Sequence, residues 1–207
     1  MSSIDKLTEI FRKFPGVGPR QARRFVYHLL SRNDNTVEEI VENIKKLNND
    51  VAQCKLCQRF FSVKQLDIPN VCQICVDGNR EQNILMIVAR DVDLDNMEKS
   101  RAFNGLYFVL GGNVPILEEK PSTFIRQEQL LERTKSLSST SSGLKEVIIA
   151  TSANPEGENT FYYVQGLLKK QLGDGVRVTT LGRGLSTGTE LEYSDADTIK
   201  SAMMNRR

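Results

Sequence analysis

All four cysteines of this 207-residue chain fall in two short knuckles, Cys54-Lys-Leu-Cys57 and Cys72-Gln-Ile-Cys75. This arrangement limits more than any other feature what the middle of the chain can fold into. The stretch 54–75 holds too few apolar residues to bury a core of its own. Two C-x-x-C knuckles instead bring four thiolates to one ion and fill a tetrahedral zinc shell. No position is then left open for water, so the site is structural. Soft sulfur donors suit Zn²⁺ better than Mg²⁺, and metal binding contributes about 10–16 kcal/mol (apparent) to folding in small zinc peptides at neutral pH. One structural Zn²⁺ on Cys54, Cys57, Cys72 and Cys75 is the reading of this module, with an iron–sulfur cluster and a redox C-x-x-C pair as its competitors. The sole histidine, His28, falls in a helical segment with no triad around it.

Composition excludes several classes. With 39% hydrophobic and 26% charged residues, the chain is too apolar for wholesale disorder. Its longest apolar run, 84–89, is far short of the roughly 20 residues a membrane helix needs. The start, MSSIDKLTEI, breaks its apolar residues with charges and does not read as a signal peptide. A reducing cytosol is therefore the expected compartment, where cysteines serve metals more often than disulfides. Aromatics are 7% and Trp is absent, which argues against large aromatic stacking platforms.

The net charge of +2 hides a polarised layout. Residues 1–33 carry Lys6, Arg12, Lys13, Arg20, Arg23, Arg24 and Arg32 against Asp5 and Glu9, and are +5. Residues 34–50 reverse the sign. Within the basic part, apolar spacing gives helices over 4–14 and 19–31. Pro15-Gly16-Val17-Gly18-Pro19 separates them, because two prolines lack the N–H donor and glycines favour turns. Two helices joined by such a bend make a helix-hairpin-helix unit. Gly16 and Gly18 let backbone approach a phosphate, and the free N–H groups at the start of the second helix face it. Arg20 and Arg24, four apart, share one face and flank the same strand. Contacts of this kind read backbone rather than base edges, so binding is independent of sequence and sensitive to salt. The plain alternative is a hairpin that serves only packing.

Thr36 and Glu39 suggest a capping box that opens a third helix, 36–48. After Gly78 the pattern becomes strand 83–89, helix 93–100, strand 106–111, helix 123–137, a flexible Ser-rich loop 138–143, strand 146–151, helix 160–172 and strand 176–181. Such alternation argues for an α/β layer with a mainly parallel sheet. Gly182-Arg183-Gly184 matches neither nucleotide-loop fingerprint and reads as a turn.

The order FPGVGPRQARR, four-cysteine finger, YFVLGG and LGRGLSTGTELEY resembles the bacterial RecR family of recombination mediators over 7–206. The resemblance implies an α+β multi-module fold. Its parts are a helix-hairpin-helix DNA-binding region over 1–53, a C4 zinc finger over 54–77, a Toprim-like α/β domain with a mainly parallel sheet over 78–172, and a C-terminal strand and extension over 173–207. It further implies a cytoplasmic, nucleoid-associated, non-enzymatic homo-oligomer, tetramer or dimer. Such a protein binds DNA, works with RecO or RecF and helps load RecA on single-stranded or gapped DNA. The family's DNA-contacting hairpin residues fall on Arg20 and Arg24, and its partner-binding Toprim acids make Glu156 and Glu158 candidates for a basic partner.

Toprim enzymes hold Mg²⁺ on a Glu after the first strand and an Asp-x-Asp after a later one. Here Ala89 and Ser152-Ala-Asn154 stand at those places. Glu156 and Glu158 of the PEGE stretch and Asp91, Asp93 and Asp95 near Ala89 are acids that could form a weak cation site without restoring the pattern. A Mg²⁺-dependent nuclease or primase is thus the second reading, and a zinc-stapled scaffold that binds only proteins is the third.

Overall fold

A computed structural model describes residues 1–207 except 33, 64–67, 69, 189 and 207, with backbone alone at 48. Part of the 58–71 spacer, and one position of GTELEY, therefore lie outside the described residues. The chain forms two compact units, Met1–Ala52 and Gln53–Arg207.

The first unit holds α1 (Ser3–Arg12), α2 (Pro19–Leu30) and α3 (Thr36–Asp50). Helix α1 starts in a capping box. Ser2 Oγ accepts from the Asp5 N–H at 3.2 Å, and the Asp5 carboxylate accepts from the Ser2 N–H at 3.2 Å. Helix α1 packs on α2 through Phe11, whose ring meets Phe25 edge-on at 5.8 Å, over the buried Thr8, Ala22 and Val26. The expected Thr36–Glu39 box does not form. Asn35 is the N-cap of α3 without a side-chain bond, and Asp34 Oδ1 takes the Thr36 N–H at 3.2 Å. An acid two residues upstream thus does the work assigned to the Thr36 hydroxyl. Val37, Ile40, Val41, Ile44 and Leu47 form an exposed apolar stripe along α3.

Strand β1 (Val51–Gln53) leads into the second unit, where β2 (Phe60–Ser62) and α4 (Gln73–Val76) belong to the cysteine module. Then follow β3 (Glu81–Val88), α5 (Asp91–Ser100), β4 (Gly105–Val109), α6 (Gln127–Ser138), β5 (Glu146–Ala150), α7 (Pro155–Leu172), β6 (Arg177–Thr180) and α8 (Ala196–Met204). Strands β3 to β6 make one parallel sheet in the order β4-β3-β5-β6. Period-2 alternation splits its core. Leu85, Ile87, Leu106, Phe108, Val147 and Ile149 face Leu130 of α6 and Val164 and Leu168 of α7. Met86, Val88, Tyr107 and Val109 face Leu94 of α5 and the buried Cys54, Cys57, Cys72 and Ile74. The cysteine module therefore borrows one face of the sheet as its apolar floor.

The Ser-rich stretch is less loose than its composition suggests. Ser138 and Ser139 are joined through their hydroxyls to Thr134 O and Lys135 O at 2.9 and 3.0 Å, and Gly143 N closes on Thr140 O at 3.0 Å. Among the described residues no helix is long and apolar enough to cross a membrane.

Candidate functional site

In the first unit the bend between α1 and α2 is closed by Val17 N–H donating to Phe14 O at 3.1 Å. Gly16 takes φ +74°, the left-handed region that side chains resist. Gly18 is the N-cap of α2 and Pro19 its first residue. No side chain caps this end, and the first turn holds no acid. The amides of Arg20 and Gln21 therefore keep the unsatisfied donors of a helix start, at its positive dipole end. Gly16, Gly18, Arg20 and Arg24 are all exposed. Neither Arg20 nor Arg24 is in an ion pair among the described residues. Arg23 by contrast reaches Asp5 at 3.4 Å. Arg24 Nη1 makes only a long bond to Gln21 Oε1, at 3.4 Å, so the geometry presents open amides and two guanidinium groups outside any ion pair among the described residues on one side, which is the equipment for holding a phosphate.

In the second unit the four sulfurs converge. Cys57 and Cys72 Sγ are 3.5 Å apart, Cys54 and Cys75 Sγ 3.9 Å, and all four lie within 4.8 Å of one another. A tetrahedral ion with bonds of about 2.3 Å separates its sulfurs by about 3.8 Å, so the cluster has the size of such a shell. Its backbone is built for this. Cys72 N–H points at Cys54 Sγ at 3.4 Å, Gln58 takes the left-handed conformation at φ 63° just past the first knuckle, and Lys55 N–H donates to Asn70 O at 2.9 Å. The thiols polarise one another. Cys54 is pushed down by hydrogen bonds from Cys57, then Cys72 and Cys75. Cys57 is pushed up by its bond to Cys54, then by Cys72 and Cys75 and by burial. Four thiolates cannot coexist there without a cation, and the donor set selects a soft one.

Contacts from Val109, Arg126 and Asp95, which sequence reasoning missed, fasten the first knuckle to the sheet and its flanking helices. Val109 N–H, at the end of β4, donates to Cys57 O at 2.8 Å. Arg126 Nη1 donates to Gln58 O at 2.8 Å and Val109 O at 3.1 Å, with its guanidinium 5.8 Å over the Phe60 ring. Arg59 pairs with Asp95 at 3.3 Å. No local pattern announces these, because the partners lie far apart in sequence.

The strand order makes the ends of β3 and β5 a topological switch point, where open α/β sheets hold ligands. Val88 pairs there with Ala150, so Ala89 and the Ser152-Ala153-Asn154 stretch flank the crevice. The nearby acids do not form the cation site that their spacing suggests. Asp91 Oδ1 takes the Phe60 N–H at 2.8 Å, Asp93 takes the Arg90 N–H at 2.9 Å, and Asp95 holds Arg59. Each carboxylate is turned to a different partner by the helix start or the finger. Among the described residues only the four cysteines bring metal-ligating atoms together. Asn154 Oδ1 caps α7 by accepting from Gly157 N–H at 2.8 Å. Glu156 and Glu158 sit exposed in the first turn of α7. Glu158 is neutralised by Arg183 at 2.5 Å, and Arg183 O accepts from Asn205 Nδ2 at 2.6 Å. The Gly182-Arg183-Gly184 turn therefore ties the C-terminal segment to α7. Asn154, Glu158, Arg183, Asp195 and Lys200 border an open concavity of about 970 Å³.

Comparison with known family models matches three regions of the chain, on either side of the cysteine module. The Toprim domain model covers residues 83–182, the RecR helix-hairpin-helix model 4–47 and the RecR C-terminal model 184–207. The recombination protein RecR of Rickettsia massiliae is 32% identical over 100% of this chain and 96% of its own length. That of Anaplasma phagocytophilum is 33% identical over 98% and 97%.

Proposed function

This chain belongs to the RecR family of recombination proteins, with a role in recombinational DNA repair, and we propose that it fills that role as a DNA-binding mediator that breaks no bonds. The observation that carries the reading is the α1–α2 bend: an uncapped helix start with exposed Gly16, Gly18, Arg20 and Arg24 in a segment of +5. Binding is to the backbone and independent of sequence. In the crevice between β3 and β5, Ala89, Ser152 and Asn154 offer no carboxylate, and Asp91, Asp93 and Asp95 are committed to internal contacts. That favours mediation over Mg²⁺-dependent cleavage or priming.

One Zn²⁺ held by Cys54, Cys57, Cys72 and Cys75 completes the fold of the finger. It is structural, because all four tetrahedral positions are taken by sulfur. The exposed apolar stripe of α3 supports assembly into dimers or tetramers, which multiplies weak hairpin contacts through effective concentration. RecO or RecF is the partner class, with the exposed Glu156 and the Arg183-paired Glu158 as the contact for a basic surface. The outcome is RecA loading on single-stranded or gapped DNA in the cytoplasm. Native mass spectrometry with and without a short gapped duplex tests the reading in one experiment. It expects one zinc per chain, an even subunit number and intact bound DNA after incubation with Mg²⁺. Cleaved DNA, or no complex at low salt, would overturn it.

A further inference from the structure

Helix α2 turns about 100° per residue, so Arg20, Arg24, Tyr27 and Ser31 lie along one side of it. The opposite side carries Ala22 and Val26, which are buried. Tyr27 is 53% exposed, three residues beyond Arg24 or about 4.5 Å further along the axis. Gln21, Arg24, Phe25, Tyr27, His28 and Ser31 line a concavity of about 670 Å³. Phe25 is held in place by its edge-on contact with Phe11. At the far end Arg32 Nε donates to His28 Nε2 at 3.4 Å. The side of the helix that offers two guanidinium groups to phosphates therefore also offers one flat aromatic face and a shallow, partly apolar recess beside it.

We infer that Tyr27 stacks on an unpaired nucleobase of a strand whose backbone lies on Arg20 and Arg24, so that the hairpin prefers single-stranded DNA to duplex. The inference rests on the backbone-binding reading of the hairpin. In a duplex the base faces are covered by their neighbours and cannot reach a ring on a helix surface. In a single strand they are free, and every base has a π face, so stacking adds affinity without sequence preference. One ring per hairpin is no large platform, but repetition across an oligomer sums the effect. The tyrosine hydroxyl stays wet while the ring is covered, which suits an aromatic at a wet interface.

The chain has no Trp, so Tyr27→Trp introduces the only indole. Oligothymidylate should quench its emission, and a duplex of equal length should not. In anisotropy titrations Tyr27→Ala should weaken oligothymidylate binding between about 5-fold and about 150-fold, the span of one base–aromatic stack. It should leave duplex affinity within about twofold and the slope of log K against log salt unchanged, since no phosphate contact is lost. Tyr27→Phe should bind as wild type. The Arg20→Ala, Arg24→Ala double variant should instead lose affinity for both DNAs and reduce the slope. Equal loss on both DNAs by Tyr27→Ala, no loss on either, or a changed subunit number in native mass spectrometry overturns the stacking role. Wild-type binding by the double arginine variant overturns the backbone reading itself, which keeps the two failures apart.

Discussion

Substituting Gly18 by alanine separates a glycine needed for folding from one needed for a ligand. Gly18 sits at φ −78°, ψ 169°, backbone that any residue adopts, and a Cβ there meets nothing within 4 Å. Alanine gains about 0.4–1 kcal/mol by restricting the unfolded chain, and its poorer N-capping offsets about 0.5–1 kcal/mol. Stability should therefore change by no more than about 0.5 kcal/mol. Gly16 differs. At φ +74° alanine costs about 1–2 kcal/mol, although a Cβ there also meets no neighbour within 4 Å. Binding should follow the reverse order of sensitivity. A phosphate must come within van der Waals distance of the Gly18 Cα to reach the amides of Arg20 and Gln21, and each such charged hydrogen bond contributes about 1.5–3 kcal/mol. A methyl group at Gly18 displaces the phosphate and should raise the Kd for DNA by about 10- to 150-fold. Urea denaturation gives the stability, and anisotropy at fixed salt gives the Kd. A folded Gly18→Ala protein that binds DNA within twofold of wild type would refute the phosphate geometry.

Metal removal should be local in its first effect. Chelation, or Cys75→Ser, should release the ion and expose the amides of the finger. It should also speed hydrogen exchange at Val109, whose N–H is held by Cys57 O, while α1 and α2 keep their protection. Arg126→Ala loses two charged hydrogen bonds to backbone carbonyls and should destabilise the second unit by about 2–4 kcal/mol in urea denaturation. Unchanged stability there would deny that the knuckle is clamped to the sheet. Two glycines of α7 should respond with opposite sign. A Cβ on Gly157 falls 2.0 Å from Ser152 O, a backbone atom, whereas one on Gly166 meets nothing within 4 Å. Gly157→Ala should lower the melting temperature sharply, through overpacking of about 3 kcal/mol or more, and Gly166→Ala should raise it through about 0.5–1 kcal/mol of helix propensity.

The elements that periodicity alone can define were legible. Helix α2 and strands β3 and β5 fall within about two residues of their expected bounds, a tolerance usual for helix and strand ends. Strands β1 and β2 and helix α4 were not, because three or four residues are too few to show a period. Helix α7 starts at Pro155, five residues before the start that periodicity gives. Its PEGE acids and Gly157 look like a turn, yet Asn154 as N-cap and Pro155 as first residue are helix-start signals. Helix α8 was missed although Asp195 caps it by accepting from Thr198 N–H at 2.9 Å. In the site, the cysteines were legible because knuckle spacing is a local constraint. The commitments of Asp91, Asp95 and Arg126 were not. Their partners Phe60, Arg59 and Gln58 lie 31, 36 and 68 residues away, and only the sheet's floor under the finger brings them together.

The salt dependence of DNA binding, measured by anisotropy for the wild type and for the folded Arg20→Ala, Arg24→Ala variant, goes most directly to the claim that this chain grips the nucleic-acid backbone through its hairpin. Each phosphate contact contributes about 0.7–0.9 to the slope of log K against log salt. A steep negative slope is expected, becoming shallower by about 1.4–1.8 per hairpin engaged in the variant. A slope near zero in the wild type, or one that the double substitution leaves unchanged, would contradict the claim.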